Sequence, residues 1–220
     1  LGAPGMTILL NNTINILSEF ANRPTLCPNG SSSSNLPLVG SIDPQTLGAS
    51  GTCSDIWGHT SGSGSKYAII GCNSLEYSLA SFQYQDEYVN NPNAPNVFII
   101  NVTETPKLVK SFKYYDSSWY DIKTYGSFAY IVVDNVNYHN RTSPFMILDL
   151  TNIDNGEIIN ISTKVNYTES ADSHNIFIHK NILYRCALNS KLLVTYNITD
   201  PTNPKEIGYF NIEAHDLHVK

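Results

Sequence analysis

The sequence predicts an all-β protein, a β-propeller segment of about three four-stranded blades plus the start of a fourth, behind a short N-terminal helical and loop extension. Three observations carry this reading. After residue 50 the chain is a series of short apolar runs rich in Val, Ile, Tyr and Phe, broken by Gly, Pro, Asn and Asp, which is the pattern of strands and turns. Val102, Leu150 and Ile198 close matching segments at a constant spacing of 48 residues. Each unit holds about four strands in roughly 40–65 residues, the size of one propeller blade.

Residues 1–50 form an extension of different character. Thr7 to Ala21 predicts one short helix with Leu10, Ile14, Leu17 and Ala21 along one face, ended by Asn22-Arg23-Pro24. Asn29 to Asn35 is Gly/Ser/Asn and reads as a loop. Residues 51–220 divide into blades at about 51–118, 119–172 and 173–214, with the next from 215. The first blade's strands are expected at Ser54–Trp57, Tyr67–Gly71, Val97–Val102 and Leu108–Phe112. The second has Tyr120–Thr124, Ala129–Val133, Phe145–Leu150 and Ile158–Ile161. The third has Asn175–Ile178, Leu183–Ala187, Leu192–Ile198 and Glu206–Phe210, and Asp216–Val219 would open the fourth.

The repeat shows in two halves of the unit. Asp121 leads to Tyr130 and Asn175 to Tyr184 over nine residues, while Asp55 leads to Tyr67 over twelve across a Gly/Ser-rich insertion. Phe98-Ile99-Ile100-Asn101-Val102-Thr103 matches Met146-Ile147-Leu148-Asp149-Leu150-Thr151 and Leu193-Val194-Thr195-Tyr196-Asn197-Ile198-Thr199. Thr105-Pro106-Lys107 matches Asn203-Pro204-Lys205, and the middle copy substitutes Asp154-Asn155-Gly156 for the proline turn. Three blades and one strand do not close a ring of four to eight, so the remaining blades are expected in a longer chain or an assembly.

Composition narrows the function. Hydrophobic residues make up 41% of the 220, with 24 aromatics, enough for a core, and charged residues only 15%, too few for a coiled coil. The net charge of −6 and the lack of any Lys/Arg run argue against a nucleic-acid partner. No stretch approaches the ~20 apolar residues of a membrane span. Sequons at Asn11, Asn29, Asn101, Asn140, Asn160, Asn166 and Asn197 point to a glycoprotein on the secretory route, extracellular or at the cell surface. Cys27, Cys53, Cys72 and Cys186 contain no CxxC pair and allow three disulfide pairings.

The ordered series of motifs resembles the LVIVD-repeat propellers and, within them, the extracellular choice-of-anchor B family. The matching stretches are Cys53-Ser54-Asp55-Ile56-Trp57-Gly58 with Lys66-Tyr67-Ala68-Ile69-Ile70-Gly71, then Ser118-Trp119-Tyr120-Asp121-Ile122-Lys123 with Ala129-Tyr130-Ile131-Val132. Met146 to Thr151, Ser173-His174-Asn175-Ile176 and His215-Asp216 complete it, over roughly residues 51–220. The resemblance implies a secreted or surface-displayed propeller, often held by a C-terminal anchor, and implies no established activity. Cys72 stands where that pattern leads one to expect another residue, which leaves a Cys53–Cys72 bridge as one of the three pairings.

The candidate ligand-binding residues gather at the strand starts. Asp55, Asp121, Asn175 and Asp216 open the first strand of each unit and would ring one mouth of the central channel, where carboxylate and amide oxygens suit Ca²⁺ or a polar ligand. The structural alternative, favoured by their repetition, is that each bonds backbone and fixes a turn. His174 and His215 precede Asn175 and Asp216, but on a strand His215 and His218 would face opposite sides, which disfavours a shared metal there, so any metal is unknown. Trp57 and Trp119 flank the same starts and serve either as a platform for sugars or as packing. No H-E-x-x-H, G-x-S-x-G or complete phosphate loop is present. The leading expectation is a non-enzymatic binding, adhesion or display module for protein or glycan ligands, with the Asn73–Asn96 and Asp134–Ser143 loops as contact surfaces. The alternative is a hydrolase or lyase acting on a carbohydrate or lactone through Asp55, Asp121, Asp216 and His174.

Overall fold

Twelve of the thirteen expected strands form. The computed structural model describes residues 41–49, 53–73, 94–115, 117, 119–134, 144–162, 172–187, 192–212 and 214–219. The expected helix at residues 7–21, Cys27, and nearly all of the two candidate contact loops lie outside the described residues. The first sheet is β1 (Cys53–Thr60), β2 (Lys66–Cys72), β3 (Val97–Asn101) and β4 (Lys107–Phe112). The second is β5 (Tyr120–Tyr125), β6 (Phe128–Val133), β7 (Met146–Asn152) and β8 (Glu157–Asn160). The third is β9 (Asn175–His179), β10 (Ile182–Ala187), β11 (Leu192–Asn197) and β12 (Lys205–Phe210). Each sheet is antiparallel with its strands in sequence order, so the protein is all-β with three four-stranded meanders.

The sheets stack face to face, and side-chain alternation shows how. In β6, Ala129, Ile131 and Val133 join a core with Tyr67, Ile69, Val97 and Ile99 of the first sheet. The intervening Tyr130 and Val132 face Leu183, Val194 and Tyr196 of the third. A strand buried on both faces reads as a continuous apolar run, which is what β6 shows. The first strands lie together, β1 against β5 and β5 against β9. On the remaining face of the first sheet, Ala68, Ile70, Phe98 and Ile100 are covered by Ile42, Leu47 and Ala49 of the segment preceding β1.

The 48-residue periodicity has a local cause. Asn101, Asp149 and Asn197 each accept the amide two residues on, Thr103, Thr151 and Thr199, through Oδ1 at 2.9, 2.9 and 2.8 Å. The amides of Val102, Leu150 and Ile198 between them reach the carbonyls of Lys66, Ser127 and Asn181, each at 2.8 Å. In β3 and β11 this side chain closes the strand, in β7 it marks the break in register between Asp149 and Asn152, and in all three one amide ties the strand to the preceding hairpin. Two recurring sequons, Asn101 and Asn197, are this turn, and the Asn160 side chain likewise accepts from the Ser162 amide at 3.0 Å and hydroxyl at 2.6 Å.

Residues 214–219 correct the expected thirteenth strand. They form no ladder; instead Asn175 Nδ2 donates to the His215 carbonyl at 2.8 Å. A first strand needs its own second strand to pair with, and none is present among the described residues beyond 214.

Cys53 and Cys72 form a disulfide across β1 and β2, with Cα atoms 3.8 Å apart. Closing a loop of this length contributes about 3 kcal/mol in the chain-entropy account. One residue before Cys72, Gly71 lies against the second sheet so closely that a Cβ there would stand 2.4 Å from Tyr120 Cβ. No rotamer of Tyr120 relieves a clash with its own Cβ, so the sheets must separate. Gly71→Ala is therefore expected to cost about 1–3 kcal/mol, read from chemical denaturation midpoints, whereas Gly58→Ala, with open space at its Cβ, should fall within about 0.5 kcal/mol.

Candidate functional site

The first strand of a sheet is an edge, and half of its amides point away from the only neighbour. Here those amides are met by carboxylates from the preceding sheet. Asp55 Oδ2 on β1 accepts from the Ile122 amide on β5 at 2.7 Å, and Asp121 Oδ2 on β5 accepts from the Ile176 amide on β9 at 2.6 Å. Asp121 Oδ1 also accepts from its own neighbour's amide, Ile122, at 3.0 Å, and Asp216 Oδ1 does the same for Leu217 at 2.7 Å. The sequence raised backbone pairing within a turn; Asp121 and Asp216 make such local bonds, and Asp55 and Asp121 in addition reach an amide of the next sheet.

Asp121 is buried, and the Lys123 ammonium pairs with its Oδ1 while donating to the Ile122 carbonyl at 3.1 Å. The same ammonium stands 4.4 Å from the centroid of the Trp57 ring. Trp57 Nε1 donates to Thr124 Oγ1 at 3.1 Å, which fixes the indole across the first two sheets with part of its surface open. Burial, then the neighbouring Asp121 carboxylate, push the Asp55 carboxyl up to about 7, against the pull of Lys123 and the Ile122 and Ile56 amides.

A second group forms where β5 and β9 begin. His174 Nδ1 meets Oδ2 of Asp134, a buried residue at the end of β6. The Ser117 hydroxyl donates to the Asp134 carbonyl, and the Trp119 amide donates to Ser117 Oγ at 3.0 Å. The His174 ring lies 4.0 Å from that of His215 and 6.0 Å from that of Trp119, centroid to centroid. With a carboxylate accepting at Nδ1, the neutral imidazole keeps its proton there and presents a lone pair at Nε2. Trp119 is 42% exposed and His215 is exposed, so this cluster forms a rim of aromatic and imidazole surface.

The candidate residues therefore separate into two groups. Asp55, Asp121 and Trp57 meet around Lys123, and His174, His215 and Trp119 meet around Asp134, while Asn175 and Asp216 bond backbone beside them. Lys123, Asp134 and Ser117 were not singled out by sequence: Lys123 sits in a repeated stretch without repeating itself, and Asp134 opens an Asn-rich loop with no motif. Among the described residues no group of three or more His, Cys, Asp or Glu is placed to hold a metal ion. The Cys186 thiol is buried, which pushes it up to about 12 and keeps it unreactive near neutrality. The chain matches no family model and no curated protein.

The raised Asp55 carboxyl gives a signed expectation. The folded state holds this proton more tightly than the unfolded chain, whose carboxyl titrates near 4. The resulting stabilisation is complete below about pH 4 and is lost as pH rises through about 7. Melting temperatures of the wild type and Asp55→Asn across pH 4–8 should show the variant with a shallower fall over that window, since an amide keeps an acceptor for Ile122 without titrating.

Proposed function

We propose that the chain is a β-propeller segment of LVIVD-repeat type that works as a non-enzymatic binding or adhesion module outside the cell. The observation that carries this reading is the assignment of Asp55 and Asp121 to backbone amides of the next sheet. General acid–base chemistry needs carboxyl groups that converge on one substrate atom with oxygens to spare. These two are engaged in holding first strands together, and Asp121 carries Lys123 as well.

What stays open to a ligand is aromatic and imidazole surface. Trp119, His174 and His215 form a rim backed by a buried carboxylate, a surface suited to stacking on a sugar or a peptide aromatic with hydrogen bonds from the imidazoles. Consecutive meanders in sequence order whose first strands lie together support the propeller reading. The Cys53–Cys72 bridge supports an oxidising compartment, and no helix among the described residues is long and apolar enough to cross a membrane.

The test is a glycan and peptide array probed with the purified chain, followed by titration of any hit. Trp119→Ala and His174→Ala are each expected to weaken binding about tenfold or more, with Trp57→Ala close to wild type. Equal loss in all three variants, or turnover of the bound ligand, would contradict the proposal.

A further inference from the structure

The contacts between neighbouring sheets follow a rule that the third sheet carries forward. Two donors and acceptors recur at each junction. The Asx residue of the first strand serves the next first strand, as Asp55 does for Ile122 and Asp121 for Ile176. The Tyr of the second strand reaches the loop between third and fourth strands of the next sheet. Tyr67 OH donates to Asp154 Oδ1 at 2.8 Å, and Tyr130 OH donates to the Pro201 carbonyl at 2.8 Å. Asp154 lies between β7 and β8, and Pro201 between β11 and β12, so the two acceptors are equivalent.

The third sheet has both residues at matching positions. Asn175 opens β9, and Tyr184 pairs with Phe177 and Thr195 as Tyr130 pairs with Lys123 and Ile147. Alternation along β10 puts Leu183 in the core with the second sheet, so Tyr184 and Cys186 lie on the far face, with Phe177 and Leu193. Residues 214–219 already run along that face at the position of a first strand. Asn175 Nδ2 donates to the His215 carbonyl, the Leu217 amide bonds Asp216 Oδ1 as Ile122 bonds Asp121, and the His218 ring lies 5.3 Å from Phe177. On the corresponding face of the first sheet, Ile42, Leu47 and Ala49 pack over Ala68, Ile70, Phe98 and Ile100, while Ile56 and Leu108 at its edges stay exposed, so that face is already partly covered by the chain's own segment.

We propose that the far face of the third sheet is a docking surface for one further four-stranded sheet of the same repeat, with His215–Val219 as its first strand. The incoming sheet places an acceptor, a carboxylate or a carbonyl, in the loop between its third and fourth strands, and Tyr184 donates to it. This rests on the propeller reading above, but it concerns assembly and not the ligand rim.

The test compares tyrosine variants in two backgrounds. In the chain as it stands, Tyr130→Phe is expected to lower the melting temperature by about 2–4 °C, the effect of one hydrogen bond in a protein of this size. Tyr184→Phe in the same chain is expected to change it by less than about 1 °C, within the range of a side chain making no such bond. Extending the chain after Lys220 with a second copy of residues 180–214 completes a fourth sheet. That extension should raise the melting temperature and lower binding of a hydrophobic dye, and Tyr184→Phe should then cost about as much as Tyr130→Phe. The proposal is overturned if Tyr184→Phe already destabilises the unextended chain as Tyr130→Phe does. It is also overturned if the extension gives no stabilisation, or if sedimentation shows a dimer that Tyr184→Arg dissolves. Array binding by Trp119 and His174 is read separately, so failure here leaves the ligand proposal to stand or fall by its own experiment.

Discussion

Everything in this fold depends on satisfying the open edge of each first strand. A four-stranded meander leaves a row of amides without a ladder partner at each of its two edges, and stacking the sheets buries the row on the first strand. An orphaned buried amide costs about 1–3 kcal/mol. A carboxyl oxygen from the preceding sheet accepts from such an amide and removes the cost. Asp55 and Asp121 thereby set the register of β1 on β5 and of β5 on β9, to which Ser54 Oγ adds an acceptor for the Tyr120 amide at 2.9 Å.

The same solution creates an electrostatic problem. Two carboxylates lie near each other at the junction, and Asp121 is 6% exposed. Lys123 answers it by pairing with Asp121, and its ammonium is held in turn by the Trp57 ring. Asp55 is left as the partner that gives up charge most readily. Polar residues that look like a ring of ligands in the sequence are thus committed to the frame. Trp119 and His215 keep exposed surface beside the Asp134–His174 pair, outside that frame.

Strand positions were legible because each is a short β-branched or aromatic run bounded by turn residues, and twelve of them form with ends within two residues of expectation, except that β1 runs three residues further, to Thr60. The 48-residue period was legible because one turn is used three times, and its Asn/Asp residue cannot vary without losing the Oδ1 acceptor. The destination of Asp55 and Asp121 was not legible, since their partners lie 67 and 55 residues away on another sheet. Nor was the Asp134–His174 pair, whose members stand 40 residues apart. The pattern at 216–219 read as a strand because periodicity marks the residues that face a neighbour, whereas a ladder also requires a partner strand.

Amide hydrogen exchange at Ile176 tests this account most directly. In the wild type its amide should exchange slowly, protected by Asp121 Oδ2. In Asp121→Ala that protection should fall about tenfold or more, while the Val194 amide in β11 keeps most of its own. If Ile176 exchanges at the same rate in both proteins, the carboxylate is not what satisfies the edge, and the account of how these sheets are joined is wrong.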